Sequence, residues 1–101
     1  MYYVYMLRCQ DNSIYTGITT NVEQRMQEHF GKEKNCAKYT FYHTAKKLES
    51  VWQTEARSLA SKLEYHIKHL TKEKKEELIQ KNNLEELLAS KIVVSKYSKK
   101  C

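Results

Sequence analysis

The spacing of hydrophobic positions along this chain changes several times, and each change predicts an element. Residues 2–8 and 13–18 are aromatic and β-branched, and Gln10-Asp11-Asn12 between them supplies turn chemistry. Two such runs across a short polar turn read as a β-hairpin. The period then lengthens. Val22, Met26 and Phe30 recur every four residues, as on one face of a helix. Thr20 fits the cap of that helix, with Glu23 able to reach back to its N–H, and Gly31 fits its end. Residues 32–45 are polar and read as a long loop, followed by a third strand from Leu48 to Gln53 around Trp52.

From Glu55 onward, Ala56, Leu59, Ala60, Leu63, Ile67 and Leu70 give an amphipathic helix. A helix starting at Thr71 carries Leu78 and Ile79, and a shorter one beginning near Asn82 or Asn83 carries Leu84, Leu87 and Leu88. Ile92 to Tyr97 fits either a last strand or a loosely held tail. The order β-β-α-β-α-α predicts an α/β (α+β) fold, a small three-stranded antiparallel sheet flanked by helices.

Composition narrows this picture. A chain of 101 residues makes one domain. It contains no apolar run long enough to cross a bilayer, and Arg8 and Asp11 interrupt any signal-peptide pattern. Cys9, Cys36 and Cys101 are odd in number and widely spaced, which argues against a disulfide framework and for a reducing cytoplasm. No CxxC or CxxH spacing supports zinc. The net charge is +6, with seven Lys/Arg against five Asp/Glu in residues 1–50 and eleven against seven in residues 51–101. Basicity leaning toward the C-terminal half suits an acidic partner, nucleic acid foremost, and equally a lysine-rich solvated surface.

Some residues sit where packing does not account for them. Arg25 and His29 are four apart and share a helix face, with His29 inside the apolar stripe and Arg25 at its edge. Glu64 flanks the stripe of the Glu55–Leu70 helix, where a carboxylate needs a cation, a metal ion or simply Lys68 one turn later. His66 and His69 lack a third ligand at metal-binding spacing and read as surface. With no proline and only Gly17 and Gly31, each glycine marks a place where a side chain is not tolerated.

These residues carry a resemblance. Tyr3-Val4-Tyr5 matches the first signature of the GIY-YIG nuclease superfamily, and Tyr15-Thr16-Gly17 the second. Arg25 matches the family arginine, His29 its helical histidine and Glu64 its metal-binding glutamate. Ala37 to Thr40 (Ala-Lys-Tyr-Thr) and Ile67-Lys68 are similar to its small stand-alone bacterial subgroup. The resemblance covers residues 1–80 as the family domain, leaving 81–101 as a helical extension with a lysine-rich tail. Tyr3 replaces the first glycine of the signature, and an asparagine that many members carry beyond the glutamate falls in the region of Asn82 and Asn83.

The resemblance implies hydrolysis of a phosphodiester in nucleic acid, DNA foremost, with one Mg²⁺ or Mn²⁺ ion held by Glu64. Arg25 would bind the scissile phosphate, Tyr5 would take a proton from water, and Tyr15 would orient water or phosphate, the order of the two phenols being left open. His29 completes the implied catalytic set, and Gly17 would let the backbone approach closely. Lys38, Lys62 and Lys68 are the candidate phosphate contacts, and a protein partner could lend specificity. Two other readings stand beside it: a binding module of the same fold that does not cut, and a protein-interaction surface rich in tyrosine. The hairpin register discriminates. Tyr5 and Tyr15 share a sheet face only if odd positions pair with odd, as with Tyr5 opposite Gly17, which needs an odd-length loop or a bulge.

Overall fold

The computed structural model describes residues 1–31, 39 and 42–100. The chain runs β1 (Tyr2–Cys9), β2 (Ile14–Thr19), α1 (Val22–Gly31), β3 (Ala45–Thr54), α2 (Arg57–Lys68), α3 (Lys72–Lys81) and α4 (Leu84–Leu88), and a 3-10 turn (Val94–Lys96) precedes β4 (Ser98–Lys99). The expected loop over 32–45 falls largely on residues outside those described, as do Ala37, Lys38, Thr40, Cys36 and Cys101. Among the described residues no helix is long and apolar enough to cross a membrane.

The hairpin turn is the first element that places the site. The Asn12 amide donates to the Cys9 carbonyl, and the Cys9 amide to Ser13, leaving a three-residue loop with Asn12 left-handed at φ 69°. Asparagine tolerates that conformation better than most residues, and such loops suit twisted hairpins. Asp11 secures the turn from the side, its carboxylate accepting from the Ser13 amide and hydroxyl. An odd loop gives an odd register: Tyr5 pairs with Gly17 and Leu7 with Tyr15.

The sheet is antiparallel in the order β2-β1-β3-β4, so β1 is central and β2 is an edge. Strand alternation sends Tyr5, Leu7, Ala45 and Val51 to one face, where Val22 and Met26 of α1 pack on them. Val4, Met6, Ile14 and Trp52 take the other face, beneath Ala60, Leu63 and Ile67 of α2 and Leu78, Leu84 and Leu88 of α3 and α4. Burying each such aliphatic side chain contributes roughly 1.5–3 kcal/mol against the cost of ordering it.

The sheet has four strands rather than the expected three. β4 is only two residues long, too short for any periodic signal, and pairs Trp52 with Lys99 and Gln53 with Ser98. The segment leading to it is pinned: Ile92 and Tyr97 are buried, the Tyr97 hydroxyl donates to the Leu59 carbonyl at 2.6 Å, and Thr54 donates to the Lys96 carbonyl at 2.9 Å. Lys99 on this short edge strand, with Lys100 directly after it, also discourages further strand pairing. At α1 the cap is Asn21, not Thr20. Its side chain accepts from the Gln24 amide at 3.0 Å, a bond worth about 1 kcal/mol. Phe30, expected in the apolar stripe, is exposed, and the buried position at that end of α1 belongs to His29.

Candidate active site

The site begins with the hairpin register, because Tyr5 lies directly across from Gly17. A Cβ on Gly17 would stand 2.5 Å from the Tyr5 hydroxyl oxygen, 2.7 Å from its Cζ and 3.0 Å from Cε2 of Tyr15. Glycine is therefore required by close approach of two phenol rings. Its backbone needs no positive φ. The ring centroids of Tyr5 and Tyr15 are 6.2 Å apart, so the two phenols share the face that the odd register gives them.

Helix α1 brings the next two groups. His29 is fully buried, with its ring 5.6 Å from that of Tyr5 and 5.5 Å from that of Tyr15. Burial first, and then the Arg25 cation, lower its pKa to about 4, with Glu28 opposing. The imidazole is thus neutral near pH 7, and its Nε2 is hydrogen-bonded to the Tyr5 hydroxyl at 2.7 Å. Arg25, one turn earlier, points its Nε at the same hydroxyl oxygen from 3.4 Å and pairs with Glu28 at 2.9 Å. Burial raises the Tyr5 pKa well above the ordinary phenol value, against the opposing pull of the Arg25 bond. Tyr5 is therefore a neutral, fully buried phenol held from both sides. Tyr15 is the partly exposed one.

Glu64 reaches the neighbourhood from α2, on the opposite side of the sheet. Its carboxylate pairs with Lys68 at 3.5 Å, the rim arrangement that the i, i+4 spacing allows. The Lys68 ammonium in turn lies 5.7 Å from the Tyr15 ring, a contact that passes round the free edge of β2. The charge of Glu64 also registers at Tyr5, where it adds weakly to the upward shift. The fold thus gathers Tyr5, Tyr15, Gly17, Arg25 and His29 tightly, with Glu64 and Lys68 at the margin. Lys62 is exposed on α2 six residues before Lys68, about 240° away around the helix, and does not join them. Lys38 lies outside the described residues.

Asn82 and Asn83 serve the junction between α3 and α4. Asn82 closes α3 in the left-handed conformation at φ 52°, and the Asn83 amide donates to Glu77 at 2.6 Å. Tyr39, of the Ala-Lys-Tyr-Thr segment, joins the cluster without being among the expected site residues. Its ring packs 5.4 Å from Tyr15 and stacks on His43 at 4.3 Å. Nothing local in the sequence marks that contact.

For a metal ion, the donor chemistry is the test. Among the described residues no group of three or more His, Cys, Asp or Glu side chains converges, which does not suit zinc. One carboxylate with open surroundings does suit Mg²⁺ or Mn²⁺, which keep water ligands and complete their shell with substrate phosphate. Glu64, partly exposed, meets that description.

The model of the GIY-YIG catalytic domain matches residues 1–77. The UPF0213 protein FN1575 of Fusobacterium nucleatum is 46% identical over 80 residues, covering 79% of this chain and 78% of that one. The UPF0213 protein YhbQ of Salmonella typhimurium is 39% identical over 92 residues, covering 90% and 89%. The solution NMR structure of the UPF0213 protein BH0048 from Bacillus halodurans is 40% identical and superposes with a TM-score of 0.51, covering 79% of this chain and 84% of that one.

Proposed function

This chain belongs to the GIY-YIG family, and from that premise we propose that it is a metal-dependent nuclease hydrolysing phosphodiester bonds in nucleic acid, DNA foremost. The observation that carries the reading is the convergence of two phenols, a guanidinium and a neutral imidazole over one glycine. Packing alone does not call for that set on one face of a sheet.

Arg25 binds the scissile phosphate with its forked donors and offsets charge as it develops there. Glu28, bonded to it, fixes the direction of the fork. Tyr15, which solvent reaches, orients the attacking water and, as the phenolate left once its own hydroxyl proton has passed to solvent, accepts the proton that the water gives up. Tyr5 suits that task less well, because burial holds its own proton in place. It serves as the post between His29 and Arg25, so that the guanidinium and the Tyr15 ring keep their spacing. Glu64 would hold a Mg²⁺ ion, which when bound supplies charge neutralisation at the leaving oxygen. Lys68 balances Glu64 in the meantime.

The test is cleavage of a panel of labelled single-stranded, nicked and branched oligonucleotides with and without Mg²⁺ or Mn²⁺. Arg25→Ala and Glu64→Gln should each lower the rate by about 10²-fold or more while leaving the fold intact by circular dichroism. A wild-type protein that binds these substrates and cuts none of them would sink the nuclease reading. The alternative, a binding module of the same fold, is favoured by one observation: the only carboxylate assigned to the metal is paired with a lysine.

A further inference from the structure

Beside the catalytic cluster, the free edge of β2 opens on a cavity of about 300 Å³ walled by Ile14, Tyr15, Thr16, Tyr39, Lys68 and Lys75. That is the lower end of the range for ligand pockets. Two walls are lysines and two are phenol rings. Lys75, on α3, is half-buried and makes no ion pair among the described residues. Burial, then Lys72 and Lys68, lower its pKa. Lys68 already has Glu64 as its partner, but Glu64 does not line the cavity, and Lys75 has no carboxylate there, so an anion in the cavity would complete Lys75.

Two further observations point the same way. Thr16 also lines this cavity, and its hydroxyl oxygen, buried beneath that wall, has no hydrogen-bond partner among the described residues and so does not balance the lysines. And α3 is locked in place. Arg8 grips Glu76 with two bonds of 2.5 Å and Glu49 with one of 3.0 Å, while Lys72 pairs with Glu76 at 3.2 Å and donates to the Asn12 carbonyl. Arg8 and Lys72 thus engage Glu76, the acid one residue along α3, and leave Lys75 at the cavity. On the other side, the Tyr39 ring stacks on His43 at 4.3 Å and stands tilted 5.4 Å from Tyr15.

We propose that this cavity receives an unpaired nucleotide adjoining the scissile phosphate, with its phosphate between Lys68 and Lys75 and its base against Tyr39. The proposal deepens the nuclease reading and rests on it. Lysines recognise phosphate as point charges, and an aromatic wall takes a base face of any sequence. A cavity of this size has room for one nucleotide and none for a base pair, so the substrate must present a base outside its duplex stack.

The experiment is fluorescence anisotropy in EDTA, so that nothing is cut, using a labelled short single strand and its blunt duplex across a salt series. The wild type should prefer the single strand. Lys75→Gln should lower the slope of log affinity against log salt by about 0.7 and weaken binding about three- to tenfold at low salt. Lys74→Gln, one residue along α3 and exposed, should do neither. Tyr39→Leu should abolish the single-strand preference and leave the salt slope unchanged. Equal slopes for Lys75→Gln and Lys74→Gln, or a retained preference in Tyr39→Leu, overturn the proposal. So does inorganic phosphate that competes as well as the strand, since that marks a simple anion site. Parallel cleavage assays with Mg²⁺ separate the two readings. Absence of cleavage with the expected binding pattern refutes the nuclease alone. Cleavage at the wild-type rate and a wild-type slope in Lys75→Gln refutes the subsite alone.

Discussion

The buried Tyr5–His29 pair makes stability depend on pH in a defined window. In the folded protein the His29 pKa is lowered to about 4, whereas an unfolded imidazole titrates near about 6.5. Between those values the unfolded chain binds more protons than the native one. Stability from this group is therefore complete above about pH 6.5 and is lost as the pH falls toward 4. The whole interval corresponds to ~3 kcal/mol, of which about 2 kcal/mol has gone by pH 5. The assay is urea unfolding at several pH values for the wild type and for His29→Gln, whose amide can still accept from Tyr5 but does not titrate. Groups common to both proteins cancel in the difference, including His66, whose pKa is lowered by partial burial and neighbouring lysines. Glu76, drawn down to about 2 mainly by Arg8, titrates below this window. The gap between the two proteins should narrow by ~2 kcal/mol on going from pH 7 to pH 5, with the wild type losing more. Parallel curves would show that His29 is not held neutral beneath Tyr5, and the proposed arrangement of Tyr5, Arg25 and Tyr15 would fall with it.

Other outcomes follow from particular contacts. Gly17→Ala drives a Cβ to 2.5 Å from the Tyr5 hydroxyl oxygen, and overpacking of about 1–3 kcal/mol should exceed the gain of about 0.5–1 kcal/mol from removing a strand glycine. Thermal unfolding should then drop by several degrees and any cleavage should be lost; an unchanged midpoint would contradict the close approach. Arg8→Ala leaves Glu49 and Glu76 without their shared cation, so urea unfolding should show a loss of about 2–4 kcal/mol. Binding to a short single strand should also weaken, because α3 carries Lys75.

Much of the site was legible because it depends on short-range periodicity. An odd turn and strand alternation are enough to put Tyr5 and Tyr15 on one face, and four-residue helical spacing is enough to group Arg25 with His29. The buried stripe of α2 also follows from spacing, since Ala60, Leu63 and Ile67 are all buried as their intervals require. Local chemistry was less decisive where two residues could do one job. Thr20 and Asn21 are both good caps, and only the course of the chain after β2 selects Asn21.

What the tertiary structure alone decided lies in contacts between residues far apart in the chain. β4 exists because Tyr97 and Ile92 are buried and deliver Ser98 and Lys99 to the edge of β3, not because two residues have strand character. Tyr39 meets Tyr15 across a span of sequence that carries no periodic signal, and Lys75 reaches the same cavity through Arg8 holding Glu76. Glu64 is a rim residue by its spacing, and only the wrap of α2 round the edge of β2 brings its Lys68 partner to Tyr15. Periodicity determines which face a side chain takes within its own element. Which faces then meet is settled by packing free energy summed over the whole core, and no local window of the sequence contains that sum.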